Sequence, residues 1–197
     1  IVLTNKSTKI KTAIVKLEKN EKLVLFAFVG KDNFLDFSSE NIKTLQFYLK
    51  LLESKLDIKS ITAMVQKEAA ERLCAKVGSR EAGAVTVAVD YYSSAKVLFD
   101  VPKESFMPSP KVNSAVIKLD IRKEPPIKVK DEKMFFKVVK ACFAQRRKTL
   151  LNTVSNTLNI DKNTLRKYLE EIGLEQSVRG EQLSITQIAL LSDKINC

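Results

Sequence analysis

The segment at residues 104–119 constrains the fold more than any other part of the chain, because its two prolines are separated by a single residue. Pro108 and Pro110 each fix their own φ and push the preceding residue toward an extended conformation. The chain between Phe106 and Lys111 is therefore predicted to be a stiff loop that cannot join a helix. An aromatic ring and a lysine on a rigid loop suit a planar ligand. The simpler interpretation is a proline-rich turn before a core strand.

The residues that follow this loop alternate between two faces, which predicts a strand over 112–121. Upstream of the loop, strands are predicted at 12–17, 22–29, 58–66 and 95–101. The strand at 58–66 is mostly apolar and is predicted to be a buried strand with parallel neighbours. Helices are predicted at 40–55 and 67–77, with Gly78 ending the second, and 81–92 is compatible with a helix or a strand. This order predicts an α/β sheet with crossover connections.

The composition changes after the last predicted strand. A charged segment with Pro125 and Pro126 predicts a stiff linker, so a domain boundary is expected near 122–130. Everything downstream is predicted to be helical, at 131–157, 161–171 and 184–195. Asp161 and Ser184 are the predicted caps, and Gly173 and Gly180 are the predicted breaks. The predicted domains are residues 1–121 and residues 122–197, and within the first domain 1–40 are assigned no place in the fold.

Charge and cysteine usage narrow the class of function. Lysine and arginine exceed aspartate and glutamate by 34 to 23, giving a net charge of +11, which favours nucleic acid first and anionic membrane second as a partner. The chain has no histidine, so histidine-based triads and zinc sites are excluded, and no cysteine cluster replaces them. The three separated cysteines indicate free thiols in a reducing cytoplasm. The start at Ile1, without methionine, suggests a piece of a longer protein.

The predicted helix 131–157 carries an Arg-Arg-Lys run at 146–148. At about 100° per residue, Arg146 projects into the middle of an apolar face formed by Phe135, Val139, Cys142, Phe143 and Leu150. An unpaired buried charge is costly, so Arg146 is predicted to be structural, paired with a carboxylate or placed at a seam between domains. Arg147 and Lys148 are the predicted phosphate contacts, although such runs are usually solvated surface.

Four segments occur in an order that resembles one enzyme family. They are SITAMVQKEAAERL at 60–73, GAVTVAVDYY at 83–92, FMPSPKVNSAV at 106–116 and QRRKTL at 145–150. Over residues 49–197 the chain resembles the ribosomal RNA adenine dimethyltransferases of the KsgA type, relatives of the Erm resistance methyltransferases. The resemblance implies a Rossmann-like methyltransferase domain, here its carboxy-terminal part, followed by a small all-helical RNA-binding domain.

The resemblance also implies a chemistry and a partner. The family uses S-adenosyl-L-methionine to dimethylate two adjacent adenines of small-subunit ribosomal RNA. By resemblance, Phe106 stacks against the target adenine, and Lys111, in the same loop, is expected to bind the RNA. The expected partner is that RNA or a pre-ribosomal particle, bound by a cytoplasmic monomer with no membrane association and no metal.

Two family motifs are not found in this chain. The cofactor loop requires clustered glycines, whereas the five glycines, at 30, 78, 83, 173 and 180, are too dispersed to form it. Asn41 stands near the place of the family's Asn-Leu-Pro-Tyr motif, but without its proline and tyrosine, and is a weak candidate for cofactor contact. The cofactor-binding half is therefore expected to be missing or divergent, which predicts a chain that is inactive alone.

Three interpretations stay open at this point. The first is an adenine dimethyltransferase represented by an incomplete chain. The second is a non-catalytic RNA-binding relative that acts in ribosome assembly. The third is a helix-turn-helix DNA-binding protein built from 161–195, where Gly173 separates two helices, although no distinctive recognition helix is present.

Overall fold

A computed structural model describes residues 11–14, 25–28, 60–107 and 109–196. The chain divides into two compact units, which are described separately. The first consists of Ile1–Cys74 and Tyr92–Glu124, and the second of Ala75–Tyr91 and Pro125–Cys197. The later division, at residues 124 and 125, falls inside the boundary region placed at 122–130. Residues 75–91, however, group with the carboxy-terminal helices, whereas the sequence assigned them to the first domain.

Within the described residues the first unit has five strands and one helix. They are β1 (Lys11–Ile14), β2 (Leu25–Phe28), β3 (Ser60–Gln66), α1 (Lys67–Leu73), β4 (Ser93–Val101) and β5 (Ser114–Ile121). β1 and β2 pair antiparallel, in agreement with two of the predicted strands. The predicted helix at 40–55 lies outside the described residues.

The other three strands form a sheet in the order β3-β5-β4, with β5 antiparallel to both neighbours. The prediction of parallel neighbours for 58–66 is therefore wrong for the neighbour that the structure describes. Its apolar run reflects a strand whose alternate residues are fully buried and whose others are half-buried. Because Gln66 and Val101 both pair with Ser114, β3 and β4 end at the edge of the sheet where β5 begins.

The helix after β3 begins at Lys67 without a break and buries Ala69, Ala70 and Leu73. It ends at Leu73, earlier than the predicted 67–77. Tight turns over the following residues, among them an amide of Ser79 that donates to the carbonyl of Lys76, take up the rest of that segment. Gly78 within it has a φ of +89°, a conformation that favours glycine.

The second unit contains five helices in its described residues. They are α2 (Ala84–Tyr92), of which all but the last residue belongs to this unit, α3 (Glu132–Phe143), α4 (Leu150–Leu158), α5 (Lys162–Glu171) and α6 (Ile185–Ile195). The segment that the sequence left ambiguous is thus helical. Its Tyr91 ring packs against the rings of Phe135 and Phe136, with centroids 5.2 and 5.3 Å apart. This aromatic cluster explains why 75–91 group with the later helices.

The predicted single helix over 131–157 is wrong, because the chain leaves the helix after Phe143 and starts a new one at Leu150. The hydroxyl of Thr149 caps the new helix by accepting from the amide of Asn152, and the amide of Leu150 donates to the carbonyl of Val178, 2.7 Å away. Apolar residues continue at helical spacing on both sides, so periodicity alone did not reveal the break. The predicted caps Asp161 and Ser184 are confirmed.

Gly180 lies buried where a short 3₁₀ turn, Gly180–Gln182, packs against the end of α3. A Cβ atom at this position would stand 2.1 Å from the carbonyl oxygen of Cys142, so no larger residue fits without movement of the backbone. The role of Gly180 is therefore close packing, in addition to the break that the sequence predicted.

Two of the three cysteines are described, and both are free thiols, as predicted. Burial raises the pKa of Cys142 to about 12 and that of Cys74 to about 11. Both thiols therefore stay protonated near neutral pH and are poor nucleophiles. Cys197 lies outside the described residues.

Candidate functional site

The loop between β4 and β5 spans the edge of the sheet at which β3 and β4 end. It begins with a short 3₁₀ turn, Lys103–Ser105, and then becomes extended at Phe106, with φ −118° and ψ 148°. Phe106 is half-buried and Met107 beside it is fully exposed. Pro110 is buried, whereas Pro108 lies outside the described residues. The described part of 106–111 is free of helix, as the prolines predicted.

Hydrogen bonds from side chains to the backbone hold this loop, and sequence reasoning missed them. The Oδ1 atom of Asn113 accepts from the amide of Lys103 at 3.1 Å. The hydroxyl of Ser109 donates to the carbonyl of Lys103 at 3.0 Å, and the amide of Phe106 donates to the same carbonyl at 3.2 Å. Short polar side chains such as Asn and Ser commonly bond to a nearby backbone, which is the signal that could have identified them.

A cavity with a volume of about 420 Å³ lies beside the loop. Its lining comes from the end of β3, the first turns of α1, and the loop, namely Gln66, Lys67, Glu68, Glu71, Lys103, Lys111, Val112 and Asn113. The two sides are joined where the amide of Lys67 donates to the carbonyl of Asn113 at 3.0 Å. The predicted RNA contact Lys111 thus lies in this cavity, whereas the ring of Phe106 is not part of its lining.

Charges of both signs face the cavity. The Nζ atom of Lys67 lies 2.6 Å from Oδ2 of Asp100, and the hydrogen bond and charge of this carboxylate raise the pKa of Lys67. Glu68 pairs with Arg72 at 2.9 Å, one helical turn away. Lys103 and Lys111 are exposed, so their ammonium groups can reach a bound anion. The cavity can therefore hold a polar or anionic group.

The segment 144–149, between α3 and α4, forms a second candidate surface in the other unit. Arg146, Arg147 and Lys148 are all exposed there. The predicted position of Arg146 on an apolar helix face is wrong, because this segment is a turn. Its guanidinium donates to the backbone carbonyl of Arg80, not to a carboxylate, and so connects the segment to the loop before α2.

The described residues show no site for a cofactor or a metal. β3 passes into α1 through Gln66 and Lys67, with no glycine turn that could approach a nucleotide closely. Asn41, the weak candidate for a cofactor contact, lies outside the described residues. In the part of the chain that is described, no three Cys, Asp or Glu side chains are grouped for a metal ion. None of the described helices has the length and apolar character required to cross a bilayer.

Two solved structures share the fold of this chain. A dimethyladenosine transferase from Plasmodium falciparum superposes with a TM-score of 0.64 at 24% identity, over 91% of this chain and 68% of that one. The 23S rRNA methyltransferase ErmE gives a TM-score of 0.58 at 17% identity, with the same two coverages. The predicted α/β class and Rossmann-like methyltransferase fold are thereby confirmed.

Sequence comparison defines the family. The family model "Ribosomal RNA adenine dimethylase" matches residues 31–196. The proteins named ribosomal RNA small subunit methyltransferase A from Bacillus licheniformis and Bacillus cytotoxicus are 46% and 45% identical over 155 residues, or 77% of this chain. The chain belongs to the ribosomal RNA adenine dimethylase family, as the four motifs indicated. It spans about half of these relatives, 53% of their length.

Proposed function

We propose that this chain is the target-binding part of an S-adenosyl-L-methionine-dependent dimethyltransferase that modifies two adjacent adenines of small-subunit ribosomal RNA. Family membership supports the reaction type and the cofactor. The partner is that RNA, free or in a pre-ribosomal particle, and the protein acts as a cytoplasmic monomer.

The observation that carries the proposal is the position of Phe106. It follows β4 on an extended backbone, in the loop at the edge where β3 and β4 both end, and Lys103 and Lys111 of that loop line the cavity. In open α/β sheets, ligands bind at the carboxyl ends of the strands. A half-buried ring at this edge can stack on an adenine that has left its helix, which is how enzymes that modify bases hold their target.

Charged residues supply affinity for the RNA backbone. Lys111, in the loop of Phe106, would contact the phosphate next to the target base. Arg147 and Lys148 would contact phosphates through the second unit, because both side chains are exposed. Such contacts orient an RNA without reading its sequence.

S-adenosyl-L-methionine would supply the methyl group, and the described residues do not form a site that fits this cofactor. They contain no glycine-rich turn. The residues that bring the amino group of the adenine to the methyl group must therefore lie outside the described part. We therefore assign to the described residues only the binding and orientation of the adenine and its RNA. The non-catalytic alternative finds no support among the relatives, which are named methyltransferases.

A chimera tests the proposal. Residues 49–197 would be joined to the amino-terminal half of the Bacillus licheniformis relative and incubated with S-adenosyl-L-methionine and unmethylated small ribosomal subunits. Mass spectrometry of the digested RNA should detect dimethyladenosine at two adjacent positions. A folded chimera that binds the cofactor and the subunits but leaves every adenine unmethylated would contradict the proposal.

A further inference from the structure

Asn113 connects three parts of the candidate site through its side chain and its backbone. The side-chain oxygen accepts from the amide of Lys103 at the start of the loop, 3.1 Å away. The backbone carbonyl of the same residue accepts from the amide of Lys67, the first residue of α1, at 3.0 Å. Asn113 itself stands at the end of the loop, directly before β5. Asn113 thus joins the two ends of the loop to each other and connects the loop to α1.

Lys103 in turn fixes the backbone of the aromatic residue. Its carbonyl accepts both the amide of Phe106 and the hydroxyl of Ser109. The position of Phe106 therefore depends on Lys103, and that of Lys103 depends on Asn113. The prolines restrict the dihedral angles of the loop, but they do not attach its two ends to each other.

We propose that Asn113 is a positioning residue that holds Lys103, and through it the backbone of Phe106, in place and thereby presents the Phe106 ring to the target base. Its importance for base stacking rests on the proposed function, whereas the closure of the loop does not. The amide side chain suits this task because it is short and its oxygen accepts without carrying a charge into the cavity. A released loop would lose entropy each time it bound a base, and a held loop avoids that loss.

Amide hydrogen exchange tests the closure by itself. In Asn113→Ala the exchange of the Lys103 amide should accelerate about tenfold, the factor expected for one ordinary hydrogen bond. The Lys67 amide should stay protected, because its acceptor is the backbone carbonyl, which alanine retains. Asn113→Asp keeps an acceptor oxygen and should restore protection of Lys103. Asn156→Ala, the same change at an exposed position of α4, is the control and should alter neither amide.

The consequence for the base is measured with a single-stranded RNA carrying 2-aminopurine in place of one of two adjacent adenines. The fluorescence of 2-aminopurine depends on what the base stacks on, so its transfer from the neighbouring adenine to Phe106 should change the signal. Asn113→Ala should reduce the population stacked on Phe106 about tenfold, while Asn113→Asp retains it. The slope of RNA affinity against salt, which is set by the charged residues, should be the same in Asn113→Ala and Asn156→Ala as in the unaltered chain, because neither substitution changes a charge.

Each outcome decides a separate point. Unchanged exchange of Lys103 in Asn113→Ala, or equal acceleration of Lys67 and Lys103 with a large fall in melting temperature, would overturn the positioning role. Accelerated exchange of Lys103 with the same fluorescence change as in the unaltered chain would overturn the link to the base. An unaltered chain that binds this RNA without changing the fluorescence would overturn the proposed stacking itself, while the exchange data would still decide whether Asn113 holds the loop.

Discussion

The loop at 102–113 and the turn at 144–149 carry the two candidate surfaces, and they are held in different ways. The loop is held mainly by three hydrogen bonds within itself, and one further bond attaches it to the start of α1. The turn depends on residues far away in sequence, since Arg146 reaches the carbonyl of Arg80 and the amide of Leu150 reaches that of Val178. A change in the loop should therefore affect function more than stability, and a change in the contacts that anchor the turn should affect stability more.

The largest effect on stability is expected next to the turn, at Gly180. Gly180→Ala would place a Cβ atom 2.1 Å from the carbonyl oxygen of Cys142, at the end of the helix that precedes the turn. Such a clash has to be relieved by movement of the backbone, and we expect a loss of about 3 kcal/mol. Denaturant unfolding monitored by circular dichroism measures it.

Gly83→Ala is the matched control, because a Cβ atom there meets nothing within 4 Å and Gly83 does not have a positive φ. Because Gly83 directly precedes α2 and its carbonyl accepts from the amide of Val87, alanine there should cost at most about 1 kcal/mol as a poorer N-cap, well below the loss at Gly180. Equal losses in the two variants would contradict the packing role of Gly180.

A smaller loss is expected when Arg146 is shortened. Arg146→Ala removes the hydrogen bond to the carbonyl of Arg80 and should cost about 1 kcal/mol, because the bond is exposed to solvent. RNA binding at a temperature well below the transition should hardly change. If Arg146→Ala instead weakens RNA binding strongly at constant stability, Arg146 is an RNA contact and the assignment is wrong.

The neighbouring residues should behave in the opposite way. Arg147→Ala and Lys148→Ala would each remove one of the proposed phosphate contacts, so each should lower the slope of the logarithm of RNA affinity against that of salt by about one. Their melting temperatures should stay at that of the unaltered chain. Titrations of a fluorescent RNA at several salt concentrations measure the slope, and identical slopes for all three variants and the unaltered chain would refute the division of roles.

The smallest signal is expected from the cofactor. S-adenosyl-L-methionine should give no appreciable heat when titrated into the chain, because its glycines are too dispersed to form the turn that such a cofactor requires. Isothermal titration calorimetry measures this directly. A clear micromolar isotherm would mean that residues outside the described part supply a site that sequence reasoning did not identify.

The sequence predicted what is decided locally. The pair Pro108 and Pro110 marked the loop, and alternation marked β5, because both depend on residues near in sequence. The caps Asp161 and Ser184 were found for the same reason. These features, with the four motifs, were sufficient to find the family.

What the sequence did not predict depends on partners distant along the chain. The antiparallel pairing of β3 and the grouping of 75–91 with the later helices involve residues tens of positions apart. The break before Leu150 is stabilised from Val178, and the place of Arg146 is set by Arg80. Asn113 acts at a distance of ten residues, and only the structure shows which amide it accepts.

The central claim is that Phe106 holds the target base, and single-turnover methylation by the chimera tests it most directly. Stacking of a base on an aromatic ring contributes roughly 1–3 kcal/mol. Phe106→Ala should therefore slow methylation about ten- to a hundredfold. Phe106→Trp and Phe106→Tyr keep an aromatic face and should retain most activity. The melting temperatures of these two variants and of Phe106→Ala should equal that of the parent chimera. A large loss of stability in Phe106→Ala, with normal activity per folded molecule, would show that the ring fills the core, and would contradict this account.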